Sequence, residues 1–458
     1  MGNRRERRGR RRRNPRHRKN QRRRGADFIS SMPDEMLHHI ISFIPTDLAM
    51  RTSVLSKRWR HVWRETPSLN ISEFQLRAEG INQTLASYTA PKIKSFSLRR
   101  SLDNAGPQID SWIEFAISRN VEELSVSILD FQFRKSFSFP DFFYLSSSVK
   151  QLILQLDYCD MIPRCTVSWK SLRNLSLRRC ELGDESFANI LSGCPVLESL
   201  RFFECRFLER LRLDLSKSLS LRILEIDRVS SGPIEIVAPH IHYLRLRVFS
   251  DRQCTLVNVS SLTEANLDII RCRSEGDLFQ TMALEMLAKA HSVDRLTLGT
   301  FLLQGLTLAE LRGVAFPTLK AQTLIVETEF ARAVIPGIQS LLRNSPKLKK
   351  LAVHTDMRLD KISDSQGLNP DRWCRSTYEV FPTTKEIWSM LGCNDATSKL
   401  LASVMELVLR NAKTLETMVL WLGGVYFKDA QRFKKLLRMV ATLSRKNNVS
   451  IVLKRSNS

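Results

Sequence analysis

The chain lacks a stretch that could span a bilayer. Its longest apolar run, Leu298 to Ala309, is about half the roughly 20 residues required. It also lacks paired cysteines. The nine present are odd in number and scattered, with no C-x-x-C pair. No apolar stretch follows the N-terminal charges, so a secretory signal is not expected. Reduced thiols in the nucleus and/or cytoplasm are the expectation, and no membrane partner. The eight histidines form no H-E-x-x-H and no Cys/His cluster, and there is no phosphate-cradling glycine loop or G-x-S-x-G. No metal, no cofactor and no intrinsic enzymatic activity are therefore expected. Acidic residues are scarce, 47 against 71 lysines and arginines, for a net charge of +24.

That charge is uneven. Residues 1–24 hold thirteen Arg, one Lys and one Glu, a net +13, and almost nothing apolar. Such a segment cannot offset its own ordering entropy, so residues 1–25 are expected to form a disordered arm. Like-charge blocks of this kind serve nuclear import or attract nucleic acid, or they are solvated and have no role. The residues leave all three open. The remaining 434 residues carry +11, and 43% of the whole chain is hydrophobic, enough for a sizeable core.

Residues 28–69 read as short helices with much apolar surface and two tryptophans. Ser31 and Asp34 fit a capping box, and Pro33 suits the first turn. Leu37, Ile40, Ile41 and Ile44 then fall on one helical stripe, which Pro45 ends. Thr46 or Asp47 can cap a second helix carrying Leu48, Thr52 and Leu55. Trp59, Val62 and Trp63 make a third apolar face among Lys57, Arg58, Arg60 and Arg64, and Pro67 closes the unit. About 40 residues are too few to bury this surface alone. The unit must lean on the next domain, on a partner, or on both.

The stretches MPDEMLHHIISFIP and RTSVLSKRWRHVW closely resemble the F-box of plant F-box proteins. Met32 stands where that family usually has Leu, a mild change because Met fills similar apolar space. The resemblance implies a docking module for the Skp adaptor of a Skp–cullin–F-box ubiquitin ligase. Its contacts would come from Met32, Pro33, Leu37, Ile40, Ile41, Ile44, Leu48, Val54, Leu55 and Trp59, with Trp63 packed inside. Each large apolar side chain buried there contributes about 1.5–3 kcal/mol. Several together offset an association cost of about 4–15 kcal/mol.

From about residue 96 to 353 a short apolar strand of the form L-x-L recurs. The pairs are Phe96/Leu98, Leu124/Val126, Leu152/Leu154, Leu175/Leu177, Leu200/Phe202, Leu224/Ile226, Leu244/Leu246, Leu296/Leu298, Leu324/Val326 and Leu351/Val353, with a weaker member near Leu267. The spacing is that of leucine-rich repeats. Residues 172–182 and 197–207 are nearly complete copies, with Cys180 and Cys205 in the ladder position and a helical return between them. These two thiols are expected to be buried and structural. One repeat cannot bury its apolar face, so stacked repeats share a core and curve into a horseshoe. The outward positions Arg99, Gln155, Arg178, Arg201, Arg245 and Arg247 hint at an acidic ligand.

Periodicity breaks after Val353. Residues 356–385 read as an irregular insertion. Residues 386–458 then follow a helix, strand, helix, strand order, and NAKTLETMVLWL resembles the FBD region of plant F-box proteins. A terminal capping repeat explains the same pattern. The whole is expected to be an α/β protein. Residues 26–72 form a small helical F-box, 73–355 a leucine-rich-repeat solenoid, and 386–458 an FBD-like or capping region. The function implied is recruitment of an unknown target protein to a cullin through the adaptor. The alternative is a nucleic-acid-associated scaffold using the Arg-rich arm.

Overall fold

The computed structural model describes residues 29, 31–72, 77–101, 106–129, 138–157, 161–207, 211–229, 233–249, 253–270, 276–328, 334–355, 396–423 and 430–455. The Arg-rich arm and the insertion at 356–385 lie outside the described residues.

Fourteen strands form one sheet in chain order, from Ser68–Ser72 to Ser450–Arg455, and every neighbouring pair is parallel. The alternating L-x-L pattern explains it, since side chains two apart share a face. All ten expected pairs sit in register, so that Phe96, Leu124, Leu152 and Leu175 stand side by side, as do Leu98, Val126, Leu154 and Leu177. Four further pairs extend the two ladders: Leu69/Ile71, Ala265/Leu267, Met418/Leu420 and Ile451/Leu453. The first belongs to a strand inside the segment assigned to the helical module. The last two belong to the C-terminal segment, whose strands continue the same sheet. The described residues of this sheet and its backing layer, from Leu69 to Val449, therefore share one continuous core.

The layer behind the sheet changes along the chain. Helices Ala78–Ser87, Gly106–Ser118 and Asp184–Ser192 return the early repeats, and the last of these is the expected one. Gly276–Lys289, Thr300–Leu311, Ile335–Arg343, Ala396–Asn411 and Ala430–Asn447 return the late ones. In the middle, three short parallel strands, Leu211–Asp214, Ile234–Val237 and Cys254–Asn258, form a second sheet instead. Packed helices need 8–10 Å each, whereas strands need about 4.8 Å. The helical ends thus require a wider outer layer than the β middle.

The longest apolar run of the sequence is the end of one strand and the helix Thr300–Leu311, which is buried almost all round. A helix apolar on every side belongs in a core. Among the described residues no helix is long and apolar enough to cross a membrane. Cys180 and Cys205 are fully buried. The Cys205 thiol donates to Leu177 O of the neighbouring repeat at 3.2 Å, and the Cys180 thiol to Arg178 O at 3.3 Å.

Candidate functional site

The helical module is built from Asp34–Ile41, Thr46–Arg51, Trp59–Val62 and two short 3-10 turns, Thr52–Val54 and Trp63–Glu65. Its start differs from the capping-box expectation. Pro33 itself occupies the cap position, and it has no side chain that can cap the helix by a hydrogen bond. Asp34 and Glu35 instead place negative charge in the first turn, where the helix dipole favours it. Pro45 both stops the first helix and caps the second. Thr46 is thereby free to bond elsewhere. Its hydroxyl accepts a hydrogen bond from the Asn70 amide at 2.8 Å, tying the second helix to the first strand of the sheet. The Tyr88 hydroxyl donates to Thr66 O at 2.6 Å, and the Thr89 amide to Arg64 O at 3.0 Å. The module is thereby fixed to the solenoid at both its second helix and its exit.

The module has a small core of its own. Leu37, Ile41, Ala49, Trp59, Val62 and Trp63 form it, with Met32, Ile44 and Met50 packed around them. Three residues of the expected adaptor-binding set belong to this core. Leu37 and Ile41 are 0% and 2% exposed and Trp59 is buried, so in the chain by itself they hold the module together. The cause is a double stripe on one helix. Leu37 and Ile41 face inward, while Met36 and Ile40, one residue back, share an outward stripe. Arg58 closes the module from outside. It pairs with Asp34 and donates to Met32 O, clamping the entry of the first helix to the third.

The outward surface is apolar. Pro33, Ile40, Leu48, Val54 and Leu55 of the expected set are exposed, Val54 and Leu55 at 87% and 65%. Ile29, Met36 and Phe43 join them, Phe43 at 75%. Sequence reasoning missed these three because a single apolar stripe already accounted for the helix. Met36 lies one turn before Ile40, which is the signal that could have found it. Seven of the fourteen exposed large apolar residues among those described fall within residues 29–55. A concentration of this kind marks a protein interface, whereas isolated apolar residues are ordinary.

The open face of the sheet is the second candidate surface. Arg99, Gln155, Arg178, Arg201, Arg245 and Arg247 all lie on it, but several of these charges are answered within the fold. Arg201 meets Glu225 at 3.0 Å, Arg247 bridges Asp227 and Asp268 at 3.3 and 3.6 Å, and Arg245 approaches Asp227 at 3.8 Å. At the strand ends, Asp157, Arg179, Glu204 and Arg228 all adopt positive φ. They link in series, at 3.3, 2.9 and 2.8 Å. The middle of the face is thus a charge-paired strip and not an open basic patch. The hint of an acidic ligand does not survive there. Among the described residues no cluster of His, Cys, Asp or Glu could hold a metal ion.

A helical docking module with an exposed apolar surface, fixed to a parallel repeat sheet, defines an interaction protein. Residues 29–70 match the F-box domain family, and residues 85–358 match the At1g61320/AtMIF1, LRR domain family. The F-box/LRR-repeat protein At3g28410 of Arabidopsis thaliana is 63% identical, covering 100% of both chains. At5g02700, from the same plant, is 62% identical over 94% of each chain. At5g02910 is 50% identical over 94% of this chain and 96% of its own. The chain belongs to the F-box/LRR-repeat family.

Proposed function

We propose that this chain is the substrate-recognition subunit of a Skp–cullin–F-box ubiquitin ligase, active in the nucleus and/or cytoplasm. The observation that carries the reading is the outward apolar set Met36, Ile40, Phe43, Val54 and Leu55, on a module whose own core is already filled. These side chains have no use inside the fold, and burial against an adaptor supplies one. The rigid join through Thr46 and Asn70 would hold a target on the repeats at a fixed offset from the adaptor. The chain's contribution to catalysis is proximity, and no residue of its own acts as a nucleophile. Leu407 to Leu422 keep their resemblance to the FBD region, which in this reading closes the solenoid. The nucleic-acid scaffold has less behind it, because the arginines in the middle of the open face already meet carboxylates.

The test is binding of purified Skp adaptor to the full chain, followed by calorimetry. Ile40→Asp combined with Leu55→Asp should reduce affinity at least tenfold with the melting temperature nearly unchanged, since both residues are exposed. Leu37→Asp would abolish binding by unfolding the module and is uninformative. A folded wild-type chain that does not bind the adaptor would overturn the proposal.

A further inference from the structure

The open face changes character at its C-terminal end. Early in the sheet one outward row reads Ser97, Ser125, Ile153 and Ser176, small and polar at all but one position, and in the middle the row is charge-paired. On the last four strands one outward row reads Ile325, Ala352, Val419 and Val452, which stand side by side in register. The parallel row reads Glu327, His354, Trp421 and Lys454. The Trp421 ring lies 5.6 Å from the His354 ring, and the Lys454 ammonium sits 4.5 Å from the centre of the same tryptophan ring. Ala352 is buried between its neighbours, while Ile325 and Val419 are half-buried and Val452 is exposed on the side of the sheet away from its core.

Beside this strip the charge balance is unusual. Glu327 is exposed, and among the described residues it has no lysine or arginine within ion-pairing distance. The carboxylates earlier on the face, Glu225 and Asp227, are all paired. Its neighbour in register is Gly299. A Cβ at Gly299 would lie 1.9 Å from Asp268 Oδ1, so the Asp268 carboxylate rests over this bare position. Asp227 also meets Arg228 and Arg245, whereas Asp268 is paired with Arg247 alone among the ion pairs of the described residues, and it shares that guanidinium with Asp227. Burial pushes the Asp268 carboxyl up to about 6, and the charge of Glu327 adds to the rise. A cation arriving over Gly299 would relieve both carboxylates.

We infer that this end of the open face docks an extended segment of the target protein that carries a lysine or arginine, seated between Asp268 and Glu327, and an aliphatic or aromatic side chain against Trp421 and Val419. Three strand steps separate Gly299 from Trp421, or about 14 Å at about 4.8 Å per step. An extended chain advances about 3.4 Å per residue, so the two anchors stand roughly four residues apart. The net charge of +24 does not forbid a basic segment. At physiological salt the screening length is about 8 Å, and the contact with the two carboxylates is shorter than that. The inference rests on the target-receptor reading above.

The experiment selects peptides from a random twelve-residue phage library on the full chain, alongside Glu327→Lys, Glu327→Gln and Trp421→Ala. The wild type should enrich Lys or Arg about four positions from an apolar residue. Glu327→Gln should weaken a selected peptide several-fold, and Glu327→Lys should select against cations. Trp421→Ala should lose the apolar preference. No enrichment, or enrichment unchanged in the Glu327 variants, would overturn the inference. So would self-association by light scattering that Trp421→Ala removes, since a second copy would then be the occupant. Adaptor binding measured on the same preparations keeps the two proposals separate: peptide selection can fail while adaptor binding stands, and the reverse.

Discussion

Single residues in this chain often serve two neighbours at once, and their charge state shows it. Asp268 is held by Arg247 and by the Ile269 amide at 2.9 Å, yet burial dominates and raises its carboxyl from 3.8 to about 6. The folded state therefore binds this proton more tightly than the unfolded state. Between about pH 4 and pH 6 stability falls as pH rises, and the penalty is complete above pH 6. Asp268→Asn cannot ionise, so its melting temperature relative to wild type should rise with pH across that window. A flat difference would mean that the carboxyl titrates normally. Glu122 has the opposite sign. Hydrogen bonds from Lys92 and Lys150 lower its carboxyl to about 2. Its contribution is present above pH 4.5 and is lost as pH falls towards 2, so Glu122→Gln should narrow the gap to wild type in acid. The pair is solvent-exposed, which keeps the effect small.

At the scale of elements, close packing behind the late repeats depends on missing side chains. A Cβ at Gly305 would lie 2.8 Å from Ala283 Cβ, and one at Gly337 would lie 2.7 Å from Leu303 O. The helices Gly276–Lys289, Thr300–Leu311 and Ile335–Arg343 approach one another through these bare positions. The Gly337 amide donates to the Thr307 hydroxyl at 3.0 Å, a bond that a wider spacing would break. Gly305→Leu should overpack this layer and cost about 1–3 kcal/mol, read as a lower urea midpoint with an unchanged slope. The L-x-L pairs made the strands legible because alternation fixes which side chains share a face. The helices were less legible. Thr300–Leu311 carries no amphipathic stripe, and its type emerges only once neighbours cover every side.

At the scale of the whole molecule, the described residues form one long parallel sheet with its backing layer, and the docking module sits at the sheet's first edge. The module's core holds six buried apolar residues, and its second helix and exit are bonded to the sheet. Residues 29–72 alone should not hold their helices. Far-UV circular dichroism of that fragment should show largely unfolded chain, and adding the adaptor should restore part of the helicity. A cooperative thermal transition in the isolated fragment would show that the module needs neither the sheet nor a partner. At the other end, strands Thr417–Leu422 and Ser450–Arg455 keep the register of the repeats before them.

The sequence by itself determined the repeat architecture, the position of the docking module and the burial of Cys180 and Cys205. Periodic apolar residues and turn-forming prolines specify these locally, because a side chain's face follows from its spacing. Only the tertiary structure decided which apolar residues of the module face out. Leu37 and Ile40 look alike in the sequence, and a rotation of the helix about its axis, set by Trp59 and Trp63 packing beneath it, separates core from surface. The same holds for the arginines of the open face. Their charge is legible in the chain, but whether it is free or already met depends on which carboxylate stands on the next strand, some twenty residues away.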